Sequence, residues 1–261
     1  MSDLSSPQLH RQKITLPADA RLDRLIHDPD PAIITAVAGD ARLTEDLALA
    51  LLERRDLPRE ALEQLHRNSA VAKLRKVRLA VVMHPRTPRH VSIPNIRHLY
   101  LFELMQVALT PAVAADLKRA AEETLLGQLS TISSGERLTL AKRGSGRVAA
   151  ALLLDKEEHI MQATLLNPQM TELWIVKALK AGAGTELLAP AVSRNAKWLH
   201  RLEIKAALLG NRHTPFAFAV QIANELPVRA IKDVLRNSQL PANVKRYLQG
   251  ILDKRSGNAI G

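Results

Sequence analysis

Residues 111–126, PAVAADLKRAAEETLL, decide the fold class. Val113, Leu117, Ala120, Ala121 and Thr124 recur at three- and four-residue intervals, which puts them on one stripe of an α-helix. Lys118 and Glu122, and likewise Arg119 and Glu123, lie four residues apart on the remaining face, where opposite charges support a helix. One side of the segment is apolar and the other is wet, so it predicts a helix that is buried on one face only. Residues 241–255 read the same way, with Val244, Leu248, Ile251 and Leu252 as the stripe and Tyr247 at its border.

Outward from these segments the pattern continues as helix-length runs with short breaks between them. No stretch alternates apolar and polar residues for long enough to make a strand. Apolar residues supply 46% of the chain but aromatic residues only 3%, so Ala and Leu must build the core. That mixture suits close-packed helices, because strands are enriched in β-branched and aromatic side chains. The expected fold is all-α with no β-sheet.

The breaks are themselves repetitive. Thr87-Pro88, Thr110-Pro111 and Thr214-Pro215 each precede an apolar-periodic run. Thr is a good helix cap and Pro is favoured in the first turn, so each pair is expected to open a helix. Thr44, Thr171 and Thr185, each followed by Glu, are expected to do the same, with the acid suiting the positive end of the helix dipole. His84-Pro85, Asn167-Pro168 and Gly210-Asn211 stand just before such starts. Pro58, Pro227 and Pro241 open a further set. Pro94 and Pro190 are expected to kink or end their helices. Thr87 and Thr110 are 23 residues apart, Trp174 and Trp198 are 24 apart, and Pro215 and Pro241 are 26 apart. A recurring unit of this size is the mark of stacked repeats, whose single units cannot bury their own apolar faces. The two tryptophans are expected at equivalent packing positions. Residues 21–255 therefore read as one continuous helical repeat domain, an α-solenoid of short stacked helices, between tails at 1–20 and 256–261.

HPRTPRHVSIPNI (84–96), NPQMTELWIVKAL (167–179) and GNRHTPFAFAVQIA (210–223) resemble the leucine-rich-repeat variant, a family whose units open with Asn-Pro-x-Thr-Pro. The resemblance is clearest over 80–115 and 160–225. It implies a HEAT-like α-solenoid of alternating helices and supplies no catalytic residue. A member of that family carries an N-terminal cysteine-ligated cluster. This chain has no cysteine, so that feature does not carry over.

The same absence excludes disulfides, thiol catalysis and Cys-ligated zinc or iron–sulfur centres. The polar start lacks the apolar core of a secretory signal, and no apolar run reaches about 18 residues, so the default expectation is a cytoplasmic protein without a membrane span. No His-Glu-x-x-His occurs, and Asp155 to His159 has the wrong spacing for that zinc motif. Those residues read as an acidic helix start, and no metal or cofactor is implied. Gly144-Ser145-Gly146 matches neither a nucleophile elbow nor a P-loop.

The net charge of +11 is unevenly spread. Residues 61–100 carry 8 basic and 1 acidic group, and residues 201–261 carry 10 and 4. An anionic partner is the natural inference. The candidate contacts are Lys73, Arg75, Lys76 and Arg78, followed by Arg86, Arg89 and Arg97, together with the basic turn Lys142, Arg143 and Arg147. On a helical wheel Lys73 and Lys76 lie together, and Arg75 and Arg78 lie nearly opposite them, so the four cannot form one patch. Trp174 and Trp198 are candidates for an aromatic platform. The leading expectation is a non-catalytic scaffold or adaptor that binds an acidic protein partner. A nucleic-acid-binding solenoid is the alternative, with phosphate contacts from 73–97, 142–147 and 229–255. A repair glycosylase on the same scaffold is a third reading, although the acids near the tryptophans are Glu172 and Glu186 rather than an Asp. The sequence leaves the oligomeric state open.

Overall fold

A computed structural model describes residues 15–237 and 240–257. Among these residues the chain is all-helical and contains no strand. The stretch that reads as one continuous repeat domain divides into two compact units, Met1–Thr124 and Leu125–Gly261. The first unit holds α1 (Leu22–Leu25), α2 (Pro31–Gly39), α3 (Glu45–Leu52), α4 (Arg59–Arg67), α5 (Arg75–Met83), α6 (Arg89–Ile96), α7 (Leu101–Leu109) and most of α8 (Ala115–Gln128). The second holds α9 (Ser134–Arg143), α10 (Gly146–Ala151), α11 (Glu158–Leu165), α12 (Glu172–Ala181), α13 (Leu188–Ser193), α14 (Ala196–Leu199), α15 (Leu202–Leu209), α16 (Phe216–Glu225), α17 (Val228–Asn237) and α18 (Ala242–Gly257).

Most of these helices have ten residues or fewer, too short to persist alone in water, so each depends on its neighbours. Within a unit, helices that are not consecutive in the chain lie side by side. The pairs α2 with α4 and α3 with α5 do so in the first unit, and α9 with α11 and α12 with α15 in the second. Their apolar faces merge into one core per unit. The first core runs from Leu22 to Val91 and includes Ile34, Leu51, Leu62 and Leu65. The second runs from Ala149 to Ile251 and includes Leu153, Met161, Ile204 and Leu208.

A polar residue just past the end of one helix ties that end to its neighbour. Asn167 follows α11, and its amide donates to the carbonyls of Ala141 (2.8 Å) and Gly144 (3.1 Å) at the end of α9, while its Oδ1 accepts from the Gln169 amide. Asn68, after α4, reaches Ala38 and Asp40 at the end of α2 and accepts from Ala70. Asn211, after α15, reaches Leu179 in α12 and accepts from His213. His84, after α5, takes the same place with a ring: Nδ1 accepts from the Arg86 amide, so Nε2 carries the proton and donates to the Arg54 carbonyl at 2.8 Å. Helix C-termini leave carbonyls without intrahelical partners, and these side chains satisfy them inside the core.

The structure revises several expected helix starts. Thr87 and Thr214 are buried, and their hydroxyls donate backwards to Val81 and Leu208, while Pro88 and Pro215 hold the capping positions. Thr110 likewise donates back to Gln106. A hydroxyl that closes the preceding helix satisfies a buried carbonyl, whereas the next helix's first amides stay free without a side-chain cap. Thr185 donates to Gly182, and Leu187 stands at the capping position of α13. Thr171 stands at the start of α12 without a side-chain capping bond, whereas Thr44 caps α3 as expected. Glu157 and Glu158 open α11, as read from the acidic run. Pro94 lies inside α6, which ends two residues later. Pro190 lies in the first turn of α13, where a missing N–H costs little.

The stripe of α8 consists of Leu117, Ala121 and Leu125, all buried, with buried Val113 just before the helix, while Ala120 and Thr124 are half-buried at its edge. Described structure reaches into both segments read as tails. Leu16 packs on the first core, and Arg42 donates to the Pro17 and Ala18 carbonyls. At the other end α18 continues to Gly257. The rest of the two tails, 1–14 and 258–261, lies outside the described residues.

Candidate binding groove

Each expected contact residue has a definite place. In the first unit Arg75 pairs with the buried carboxylate of Glu103, and its guanidinium lies 4.4 Å above the Tyr100 ring. Arg78 donates to the His98 carbonyl at 3.1 Å. Both arginines are thus turned toward the segment leading into α7, on the side of α5 away from Lys76. Arg86 donates to the Asp56 carbonyl, and Arg89 pairs with Asp116 at 2.6 Å. Lys73, Lys76 and Arg97 are exposed and make no ion pair among the described residues. In the second unit Lys142 and Arg143 are exposed in the last turn of α9, where cations suit the negative end of the helix dipole. Arg147 is half-buried and engaged in an interaction of its own.

The glycines beside that basic turn are set by packing. A Cβ on Gly144 would stand 2.5 Å from the Leu140 carbonyl oxygen, and one on Gly146 would stand 2.6 Å from that of Gln169. Ser145 caps α10 by accepting from the Val148 amide. The turn is a helix end followed by a helix start. It has no need of a phosphate to explain its composition.

The tryptophans do not occupy equivalent places. Trp198 is 3% exposed in the one-turn helix α14, and its indole N–H donates to the Leu165 carbonyl at 2.9 Å. Trp174 is half-buried in the first turn of α12, with the Lys177 ammonium 5.6 Å from its ring. The helix beside α12 is α15, and α14 is an extra turn placed before it, so the 24-residue spacing does not correspond to one repeat. With its ring buried and its N–H used, Trp198 cannot stack on a ligand.

What the sequence reading missed is a groove of about 730 Å³ in the second unit, along the solvent side of α15 between α12 and α17. Its floor is Ala206 and Ala207 on α15 and Gly210 just past its end, with Glu203 one turn earlier on the same face. Lys180 and Ala183 border it at the end of α12, Arg212 closes one end, and Asp233 and Val234 come from α17. Gly182 and Gly184 have φ of 74° and 72°, a left-handed backbone that favours glycine and turns the chain sharply at this border. The groove exists because small residues meet there: Ala206, Ala207 and Gly210 at the end of α15, Ala181, Gly182 and Ala183 at the end of α12, and Ala230 on α17. The run Ala181-Gly-Ala-Gly184 and the pair Ala206 and Gly210 were legible as small residues. That they converge was not.

The lining itself is balanced in charge, and the surplus of cations lies outside it on the bordering helices. Lys205 is neutralised by Glu225, whose carboxyl is held below the usual range by that hydrogen bond, and Arg201 lies 3.6 Å from Glu172. Glu203 and Asp233 remain as the acids of the lining. Lys180 and Arg212 oppose them in the lining, while Lys177 on α12 and Arg229, Lys232 and Arg236 on α17 lie outside it; all six are exposed and without an ion pair among the described residues. Beyond the groove, at the starts of α12 and α15, Leu173 and Leu202 are 72% and 52% exposed. Their chain neighbours Glu172 and Arg201 form the pair just described, so the two leucines mark adjacent helix ends.

A second hollow, of about 940 Å³, lies along α2 and α4 in the first unit and includes Thr15 and Leu16, where the described chain begins. Its acids are partly spent: Asp30 caps α2, and Asp40 pairs with Arg42. Among the described residues no cluster of three His, Asp or Glu side chains is placed to hold a metal, and no helix is long and apolar enough to cross a membrane. In comparison with known proteins, the chain matches no family model, no curated protein and no solved structure.

Proposed function

We infer that the chain is a non-catalytic scaffold or adaptor, an α-solenoid of the leucine-rich-repeat-variant kind, that binds an acidic protein partner. The observation that carries this reading is the groove on α15, with small residues on its floor, Lys180 and Arg212 in its lining, and exposed Lys177, Arg229 and Arg236 on the helices that border it, all without an ion pair among the described residues. Small apolar side chains accept a partner's backbone or side chains closely, and the excess positive charge draws an acidic one. No Phe, Tyr, Trp or His lines the groove, so it offers no aromatic side chain for bases to stack on. The regular tie from each helix end to the helix beside it supports the repeat reading, because a repeated bond implies a repeated geometry.

The nucleic-acid alternative is favoured by one place in the first unit. Tyr100 and Phe102 are 60% and 48% exposed, and Arg75 stacks on Tyr100. Against it, Arg75 and Arg78 are already engaged internally. Binding of the intact chain to a random duplex and to an acidic polypeptide, each measured across a salt series, separates the two. The adaptor reading expects the polypeptide to bind more tightly at every ionic strength. Tighter duplex binding with a steep salt slope would replace it with the nucleic-acid reading.

A further inference from the structure

Resting on the adaptor reading, we propose that the α12–α15–α17 groove receives the partner as an amphipathic α-helix, with a seam of small and apolar residues and acidic flanks. Three observations lead to a helix rather than to a loop or an unstructured acidic tail.

Ala206, Ala207 and Gly210 leave the last turn of α15 and its end bare, with Glu203 one turn earlier on the same face. Where facing residues are small, two helix axes can approach to about 8 Å, the lower end of helix–helix packing distances. Leu202, Ala206 and Gly210 follow one another at four-residue intervals, and a helix seam repeats at three and four residues.

The apolar surface continues beyond the trough. Leu202 lies one turn before Ala206 on α15, and Leu173 lies at the start of the adjacent helix α12. Both are exposed, at 52% and 72%. They extend the seam toward the starts of α12 and α15, where the partner's larger apolar residues would sit.

The charges lie where the flanks of such a helix would pass. On α12, Lys177 and Lys180 share the solvent arc with Leu173. On α17, Arg229 and Arg236 stand beside Asp233 on the exposed arc. Acidic residues on either side of the partner's apolar seam would meet these two rows. A disordered acidic tail would use the cations but leave the trough and both leucines uncovered.

The test uses the full chain and a fluorescent synthetic peptide of about 20 residues, roughly 30 Å long as a helix. Its seam is Ala and Leu, and its flanks are Glu. A scrambled peptide of the same composition lacks the seam. Binding is read by anisotropy and the peptide's helicity by circular dichroism. The expected result is saturable binding with a gain in helicity, at least about tenfold tighter than for the scrambled peptide. Ala206→Trp, which fills the trough from the solvent side, should weaken binding about tenfold. A photo-crosslinker on the seam should label α12, α15 and α17 of the unaltered chain, which keeps the test independent of how the variant folds. Equal binding of the two peptides, unchanged affinity in Ala206→Trp, or crosslinks elsewhere would overturn the helix-in-groove proposal. If those failures came with a loss of peptide in Lys177→Glu/Lys180→Glu, the acidic-partner reading would survive alone. If neither peptide bound the unaltered chain, both would fall.

Discussion

His84 shows how a single residue carries the architecture. It stands where Asn68, Asn167 and Asn211 stand, and makes the same two kinds of bond with the two nitrogens of its ring. Burial lowers its pKa below the ordinary value near 6.5, so the folded chain holds it neutral. Its contribution to stability is therefore complete above that value and is lost as pH falls through it toward the lowered folded pKa. Urea unfolding between pH 7.5 and 5.5 should show this loss. His84→Asn should keep most of the stability while removing this component, because Asn can make both bonds without titrating. His84→Ala should cost roughly 1–3 kcal/mol at either pH, the penalty of leaving a buried carbonyl unpaired. An identical pH response in the parent and His84→Asn would refute the assignment. Glycines offer a second contrast at this scale. Gly146→Ala should destabilise by about 1–3 kcal/mol, since the new methyl would meet the Gln169 carbonyl. Gly127→Ala, inside α8 with nothing within 4 Å, should stabilise by up to about 1 kcal/mol. Thermal melts of the pair must move in opposite directions.

At the scale of the element, α8 tests how far periodicity alone can be trusted. The stripe read from sequence correctly contains Val113, Leu117 and Ala121, but it also takes in Ala120 and Thr124, which the structure leaves half-buried. Leu117→Asp should therefore cost several kcal/mol, because an unpaired charge would enter the core. Ala120→Asp should cost clearly less, since its carboxylate can reach water. Equal losses for the two variants would mean that the stripe is wider than described. The short helices also explain why their starts were misread. Thr-Pro was legible as a boundary, but whether Thr serves the helix behind it or the one ahead depends on which orphan group is buried. At Thr87 and Thr214 the carbonyl behind is buried, and it takes the hydroxyl. The Asn and His residues before these threonines looked like punctuation, and their bonds to carbonyls about 30 residues away could not be read locally.

For the whole molecule, the net charge of +11 is a statement about attraction over distance. Association with an acidic partner should be driven by on-rate, falling on the order of tenfold as salt rises from low to above physiological strength, while the off-rate changes little. Stopped-flow mixing with the helical peptide would measure this, and a salt effect confined to dissociation would contradict it. Helicity, the absence of cysteine chemistry, the basic segments and the rhythm of short units all follow from residue order, because each depends on neighbours three, four or some twenty-five positions away. The division into two compact units, the spending of Arg75, Arg78, Arg86 and Arg89 on internal partners, and the groove on α15 do not follow from it. Those features arise where helices distant in sequence come side by side. Only packing decides which cations are neutralised there and where small side chains leave a hollow.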